Sequence, residues 1–128
     1  MKIEHAALWT DKLDLLKDFY TKYFGGTSNQ KYSEQEKGFE SYFITFESGA
    51  RLELMKNDDV KTGINRNDMT PGYTHLAFST GSRENVDKLT NRLLADGYKI
   101  LGFPHETGDE YYESSAYDPD GNIIEITI

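Results

Sequence analysis

The sequence has 128 residues with 22 acidic and 14 basic side chains, and its net charge is -8 at pH 7. This acidity argues against partners such as nucleic acid or an anionic membrane, because most of the surface would repel them. The absence of cysteine excludes disulfides, thiolate ligands and cysteine nucleophiles, and it predicts a reducing, cytoplasmic compartment. At the amino terminus, Glu4 and His5 interrupt the apolar stretch, so we expect neither a signal peptide nor a membrane span.

The first half of the chain, residues 1–57, predicts a strand, a helix and further strands. Residues 2–10 alternate as a strand does, and apolar residues then recur at helical spacing from Asp11 to the stop at Gly25. After a polar stretch, SYFITFES and RLELMKN alternate again and are predicted as strands.

The second half, residues 72–128, repeats this order. YTHLAFST predicts a strand, a helix follows between its cap Ser82 and its stop Gly97, and KILGF, YYESSAYD and NIIEITI predict three strands. The polar segment 58–71 contains glycine and proline and is predicted to be a linker. We therefore predict one α+β domain made of two tandem βαβββ modules.

The two halves also carry the same ionisable residues inside their predicted strands. His5 aligns with His75, and Glu53 aligns with Glu125, at offsets of 70 and 72 residues. A strand-helix-strand order can occur twice by chance in a small α+β protein. Chance does not account as easily for the repeated histidine and glutamate positions.

These four residues should point away from the helix side of their strands, because side chains alternate faces. Taken singly, each is better explained by a solvated face or a local hydrogen bond. A carboxylate within NIIEITI, however, loses on the order of several kcal/mol of solvation if it is buried without a charged partner. Pseudo-twofold packing of the two repeats would bring all four side chains to one axis. We therefore predict a divalent-metal site formed by His5, Glu53, His75 and Glu125.

The predicted ligands also restrict the metal and its role. Imidazole nitrogen with carboxylate oxygen suits Ni, Zn or Co first, and Mn or Fe as further options. Because no thiolate is available, a closed structural zinc site is excluded and a catalytic site is expected. Four protein ligands on a six-coordinate ion leave two neighbouring positions, which suits a substrate with two adjacent oxygens.

Several pieces of the sequence together resemble one protein family. They are His5 on the first strand, FYTKYFGG, Glu53 in RLELM, His75 in YTHLAF, and DPDGN leading into Glu125. With these pieces the whole chain resembles the vicinal oxygen chelate superfamily of glyoxalases, bleomycin-resistance proteins and extradiol dioxygenases. The resemblance implies paired βαβββ modules, a curved, mostly antiparallel sheet around a metal, and a homodimer in which ligands from different subunits complete each site.

Within that family, one histidine and one glutamate from each half is the glyoxalase I pattern. This resemblance implies a lyase that isomerises the hemithioacetal of a 2-oxoaldehyde through an enediolate, with Glu125 as the proton-transferring base and Glu53 as its counterpart. Glyoxalase I has a glutathione-contacting arginine where this chain has Trp9, whereas Asn57 matches a glutathione-contacting asparagine. Trp9 is therefore interpreted either as a residue that stacks on a flat or apolar substrate or as a core tryptophan.

Two other functions remain open from the sequence. A protein of the bleomycin-resistance kind would bind a small molecule or drug without turnover, and an Fe(II) dioxygenase would consume oxygen. The retention of all four ligands argues against the first, and a fourth protein ligand argues against the second. Outside the site, His105 is predicted to lie in a surface loop, and Asp118–Gly121 to form a turn that positions Glu125.

Overall fold

The computed structural model describes residues 1–47, 49–61, 71–108 and 111–128. The chain divides into two compact units, Met1–Ile64 and Asn65–Ile128. Each unit combines one sheet with one α-helix, which confirms the predicted α+β class with two similar modules. Most of the predicted linker 58–71 lies outside the described residues, and the predicted homodimer stays a prediction.

The first unit contains a sheet in the strand order β1-β5-β4-β2, with β3 also paired to β4. Strands β1 and β5 are parallel and the other pairs are antiparallel. The elements are β1 His5–Trp9, α1 Leu13–Phe24, β2 Thr27–Ser28, β3 Tyr32–Glu34, a 3-10 helix Gln35–Lys37, β4 Phe39–Thr45 and β5 Arg51–Lys56.

The polar stretch before β4 forms two short strands rather than a plain connector. Apolar and polar residues do not alternate in this stretch, so the sequence pattern did not indicate the two strands. They are held instead by polar contacts, since the Asn29 side chain accepts a hydrogen bond of 2.8 Å from the backbone N–H of Phe43. The first unit therefore carries more strands than the predicted βαβββ order.

The second unit has the predicted βαβββ order, and its sheet is arranged β6-β9-β8-β7. Strands β6 and β9 are parallel, whereas β8 is antiparallel to both of its neighbours. The elements are β6 His75–Ser79, α2 Arg83–Ala95, β7 Ile100–Glu106, β8 Tyr112–Tyr117 and β9 Ile123–Thr127.

His105 lies in strand β7, so the predicted loop is wrong, although the residue is exposed as expected. The glycine and proline around His105 indicated a loop. Strand β7 is at the end of the sheet order and its register with β8 shifts twice, and edge strands with such irregularities accommodate Gly102 and Pro104.

The helix boundaries follow from local chemistry. Helix α1 ends at Gly25, whose φ of 67° is left-handed and whose N–H donates to the carbonyl of Tyr20, as a glycine stop does. Helix α2 begins after Ser82, whose side chain accepts a hydrogen bond of 3.2 Å from the N–H of Asn85. Both predicted signals, the Gly25 stop and the Ser82 cap, are confirmed.

Each unit has its own apolar core between its helix and one face of its sheet. The opposite face of each sheet is therefore left to carry the ionisable residues. Fully buried core side chains are Leu16, Tyr20, Ile44 and Leu54 in the first unit and Val86, Leu93, Ile124 and Ile126 in the second.

Among the described residues, no helix is long and apolar enough to span a membrane.

Candidate metal centre

In the first unit, the parallel pairing of β1 with β5 brings His5 next to Glu53. Ala7 is the register partner of Glu53 and His5 is the partner of Arg51, so His5 and Glu53 lie diagonally on one face. Their nearest atoms, Nε2 of His5 and Oε2 of Glu53, are 3.7 Å apart.

In the second unit, strands β6 and β9 reproduce this arrangement. Ala77 is the register partner of Glu125, and His75 is the partner of Ile123. The Nε2 atom of His75 lies 3.3 Å from Oε2 of Glu125. Two independent strand pairs therefore place a histidine and a glutamate in the same relation.

All four side chains are partly accessible. The exposed fraction of the side chain is 41% for His5 and 17% for Glu53, and it is 39% for His75 and 23% for Glu125. The neighbours of each glutamate along its strand, such as Leu54, point to the buried face. The carboxylates are thus partly desolvated yet can be reached by a ligand.

Each unit is described with its own pair of candidate ligands. In the parts of the chain that the structure describes, no group of three or more histidine, cysteine, aspartate or glutamate side chains is arranged to hold a metal ion. Each unit supplies one imidazole and one carboxylate, which are donors that borderline divalent metals accept. The donor chemistry fits the predicted ion, and the joint four-ligand site stays a prediction.

Around His5, the structure reveals a group that the sequence reasoning missed. Oε2 of Glu4 lies 2.5 Å from Nδ1 of His5, and Oε1 of Glu4 accepts from Nε of Arg51 at 2.8 Å. The pKa of the Glu4 carboxyl is below its ordinary value because of the hydrogen bond from His5 first, and also because of Arg51, against the opposing effect of desolvation. The sequence feature that could have indicated these contacts of Glu4 is Arg51, a cation on the same strand face as Glu53.

The turn before β9 holds the strand that carries Glu125. Oδ1 of Asp118 accepts from the N–H groups of Asp120 at 2.9 Å and Asn122 at 2.8 Å, and Asp118 is only 4% exposed. Gly121 has a φ of 79°, which favours glycine in this turn. The turn joins β8 to β9 in the register that places Glu125 opposite Ser115.

Trp9 and Asn57, the predicted substrate contacts, have different surroundings. Trp9 is 50% exposed and meets the ring of Phe39 edge-on at 6.3 Å between centroids, so the alternative of a core tryptophan is wrong. Asn57 donates through Nδ2 to the carbonyl of Lys37 at 3.1 Å, and its Oδ1 accepts from the N–H of Asp59 at 3.1 Å. The side chain of Asn57 thus also stabilises the loop after β5.

Known proteins share this fold. Glyoxalase I from Zea mays has a TM-score of 0.80 and 25% identity, over 98% of this chain and 44% of the maize chain. A possible glyoxalase from Bacillus cereus has a TM-score of 0.75 and 27% identity, over 100% of this chain and 99% of that chain. The uncharacterized protein YqjT of Bacillus subtilis is 38% identical over an alignment of 58 residues that covers 43% of this chain and 45% of YqjT. This chain therefore spans less than half of the maize chain, and its match with YqjT covers less than half of that protein.

A family model extends this likeness along the sequence. The model of the Glyoxalase/Bleomycin resistance protein/Dioxygenase superfamily matches residues 2–126. This range contains both histidine–glutamate pairs and all but the first residue of one module and the last two residues of the other. The chain belongs to the glyoxalase/bleomycin resistance protein/dioxygenase superfamily.

Proposed function

We propose that this chain is a metal-dependent lyase or isomerase of the glyoxalase I type. Its divalent ion would be Ni, Zn or Co, with Mn or Fe as further options. The observation that carries the proposal is the placement of a histidine and a glutamate at equivalent register positions of a parallel strand pair in both units. The proposed ligands are His5, Glu53, His75 and Glu125.

The chemistry of the four donors supports this choice of function. Each pair already directs an imidazole nitrogen and a carboxylate oxygen toward each other, at 3.7 Å in one unit and 3.3 Å in the other. A divalent ion held by such donors would polarise a substrate oxygen and make a neighbouring C–H group more acidic. The substrate class that profits is one with two adjacent oxygens, such as the hemithioacetal of a 2-oxoaldehyde.

Glu125 is the proposed base. Its carboxylate would take the proton from the hydroxyl-bearing carbon and return it to the neighbouring carbonyl carbon, while the hydroxyl proton passes to the former carbonyl oxygen. The substrate is thus isomerised without an oxidant or a reductant. The side chain is 23% exposed, so substrate can approach it, while Ile124 and Ile126 are fully buried and hold its strand. Glu53, on the other unit, is the proposed counterpart.

Other residues and partners complete the proposal. Trp9, half-exposed on the same strand as His5, would contact a flat or apolar part of the small-molecule substrate. Asn57 would contact a thiol cosubstrate through the hydrogen-bonding capacity that its contacts with Lys37 and Asp59 leave unused. We further propose a cytoplasmic homodimer in which the subunits share ligands, as the family resemblance implies.

A second candidate is a binding protein that sequesters a small molecule without turnover. Exposed aromatic rings of the first unit favour it, because Trp9 and Tyr32 both contact Phe39 edge-on and are both exposed. Such rings can bind an apolar ligand whether or not a metal is present. The two candidates therefore differ in their dependence on metal.

Removal of the metal separates the two candidates. Turnover of hemithioacetals of 2-oxoaldehydes with several thiols is expected to fall at least about 100-fold after chelation and to return when Ni, Co or Zn is added. Ligand binding measured by calorimetry should weaken in parallel. Tight binding that is indifferent to the chelator, with no turnover of any tested substrate, would favour the binding protein instead.

A further inference from the structure

The two histidines of the proposed site have different surroundings. Glu4 lies between His5 and Arg51 and uses one carboxylate oxygen for each. Oε2 of Glu4 is 2.5 Å from Nδ1 of His5, whereas Oε1 is 2.8 Å from Nε and 2.5 Å from Nη2 of Arg51. His5 is therefore the end of a three-residue chain of hydrogen bonds.

This geometry determines which ring nitrogen of His5 carries the proton. An ionised carboxylate can only accept hydrogen bonds, so Nδ1 of His5 must be the donor to Glu4. In the neutral ring Nε2 is then the unprotonated nitrogen, and it lies 3.7 Å from Oε2 of Glu53, beyond an ordinary hydrogen bond. The nitrogen that faces Glu53 thus has its lone pair available for a metal ion.

Arg51 keeps this chain of contacts in place. Its backbone N–H donates to the carbonyl of Glu4 at 2.9 Å, and its guanidinium carbon lies 4.1 Å from the ring centroid of Phe43. The His5 ring meets Phe43 edge-on at 5.7 Å between centroids. The guanidinium and the imidazole, which are the two partners of the Glu4 carboxylate, therefore lie against the same aromatic ring.

The second unit lacks these contacts. Thr74 precedes His75 where Glu4 precedes His5, and Ile123 is the register partner of His75 where Arg51 is the partner of His5. Across the described residues, no group hydrogen-bonds to Nδ1 of His75, whose Nε2 lies 3.3 Å from Oε2 of Glu125. The proton of a neutral His75 ring is thus best placed on Nε2.

We propose that Glu4, anchored by Arg51, is a positioning residue that presets His5 for metal binding. In the metal-free protein His5 carries its proton on Nδ1, whereas His75 carries it on Nε2 and must release that proton before Nε2 can bind a metal. Carboxylate partners of this kind orient metal-binding imidazoles and raise their basicity. The functional part of this proposal rests on the proposed role of His5 as a ligand.

The tautomers can be read directly by ¹⁵N NMR of the metal-free protein at about pH 8.5, roughly two units above the ordinary histidine pKa. Two-bond ¹⁵N–¹H correlations distinguish a protonated Nδ1 from a protonated Nε2, and His5→Asn and His75→Asn variants assign the signals. We expect opposite tautomers for His5 and His75 in the same sample. A parent protein in which His5 carries its proton on Nε2 would overturn the proposal without any variant of Glu4.

Variants then test the role of Glu4. Glu4→Ala is expected to shift His5 toward the Nε2-protonated form and to weaken metal affinity about 10-fold. Arg51→Met should shift it in the same direction, which guards against misfolding of a single variant. Thr74→Ala, at the equivalent position in the second unit, is the matched control and should change neither tautomer.

The outcomes separate this proposal from the proposed function. An unchanged His5 tautomer in a folded Glu4→Ala protein overturns the positioning role even if the parent binds metal. If the tautomers behave as expected but the parent binds no metal, the arrangement of Glu4 and His5 stands and the metal-dependent function fails.

Discussion

Glu125→Gln is expected to lower turnover at least about 100-fold while the metal content stays close to that of the parent. Removal of a general base commonly costs a factor of about 100 to 10,000, and glutamine keeps the size and one oxygen donor of the side chain. The side chain contacts His75 at 3.3 Å between Oε2 and Nε2, and it lies on the accessible face of β9. Steady-state kinetics beside metal analysis of the same sample measures both quantities.

Glu84→Gln provides the matched control for loss of one carboxylate in the same unit. Glu84 lies in the first turn of α2 and pairs with Lys88 at the exposed surface. The turnover of the Glu84→Gln variant should therefore equal that of the parent. Glu53→Gln tests the counterpart role and is expected to impair turnover as well. Full activity in Glu125→Gln would show that another group moves the proton.

Leu54→Ala is expected to reduce the free energy of unfolding by about 2 to 5 kcal/mol, as core leucine truncations do. Leu54 is 0% exposed and directly follows Glu53, so its loss removes the packing that fixes the strand behind one proposed ligand. Urea denaturation followed by circular dichroism measures the change.

Leu15→Ala is the corresponding control. It makes the same leucine-to-alanine change in the same unit, but Leu15 lies on helix α1 and is 48% exposed. Its effect should stay within about 0.5 kcal/mol. Equal destabilisation by both variants would mean that the face of β5 opposite Glu53 is not the core of the unit.

Much of the fold was predictable because strong local signals agree with the hydrophobic pattern. Gly25 ends α1 and Ser82 begins α2 as predicted, and both signals depend on a few neighbouring atoms. The duplication was visible because the same order of elements and the same histidine and glutamate positions recur in both halves. The neighbouring Leu54 and Ile126 are correspondingly both fully buried.

Features determined by pairing between distant segments were not predictable. Strands β2 and β3 lack apolar alternation and exist because β4 pairs with them. His105 lies in a strand because β8 extends along β7 despite the neighbouring glycine and proline. A single sequence shows neither partner strands nor register irregularities.

The candidate site was predictable only at the level of strand faces. Alternation placed each glutamate opposite buried leucines or isoleucines and each histidine on the exposed face of its strand. The structure shows each pair together within its unit. The contact between Glu4 and His5 was missed because the predicted strand 2–10 would place these neighbours on opposite faces, whereas β1 begins only at His5. The union of the two pairs around one ion stays a prediction.

Metal content tests most directly whether the two pairs hold one divalent ion. Protein should be purified without chelators or a metal-affinity tag and compared with the His5→Ala/Glu125→Ala double variant, which removes one ligand from each unit. We expect about one ion per chain in the parent and little in the double variant, since binding requires the assembled ligands. A parent that binds no ion even after reconstitution, or a double variant that keeps the full amount, would contradict the proposed site.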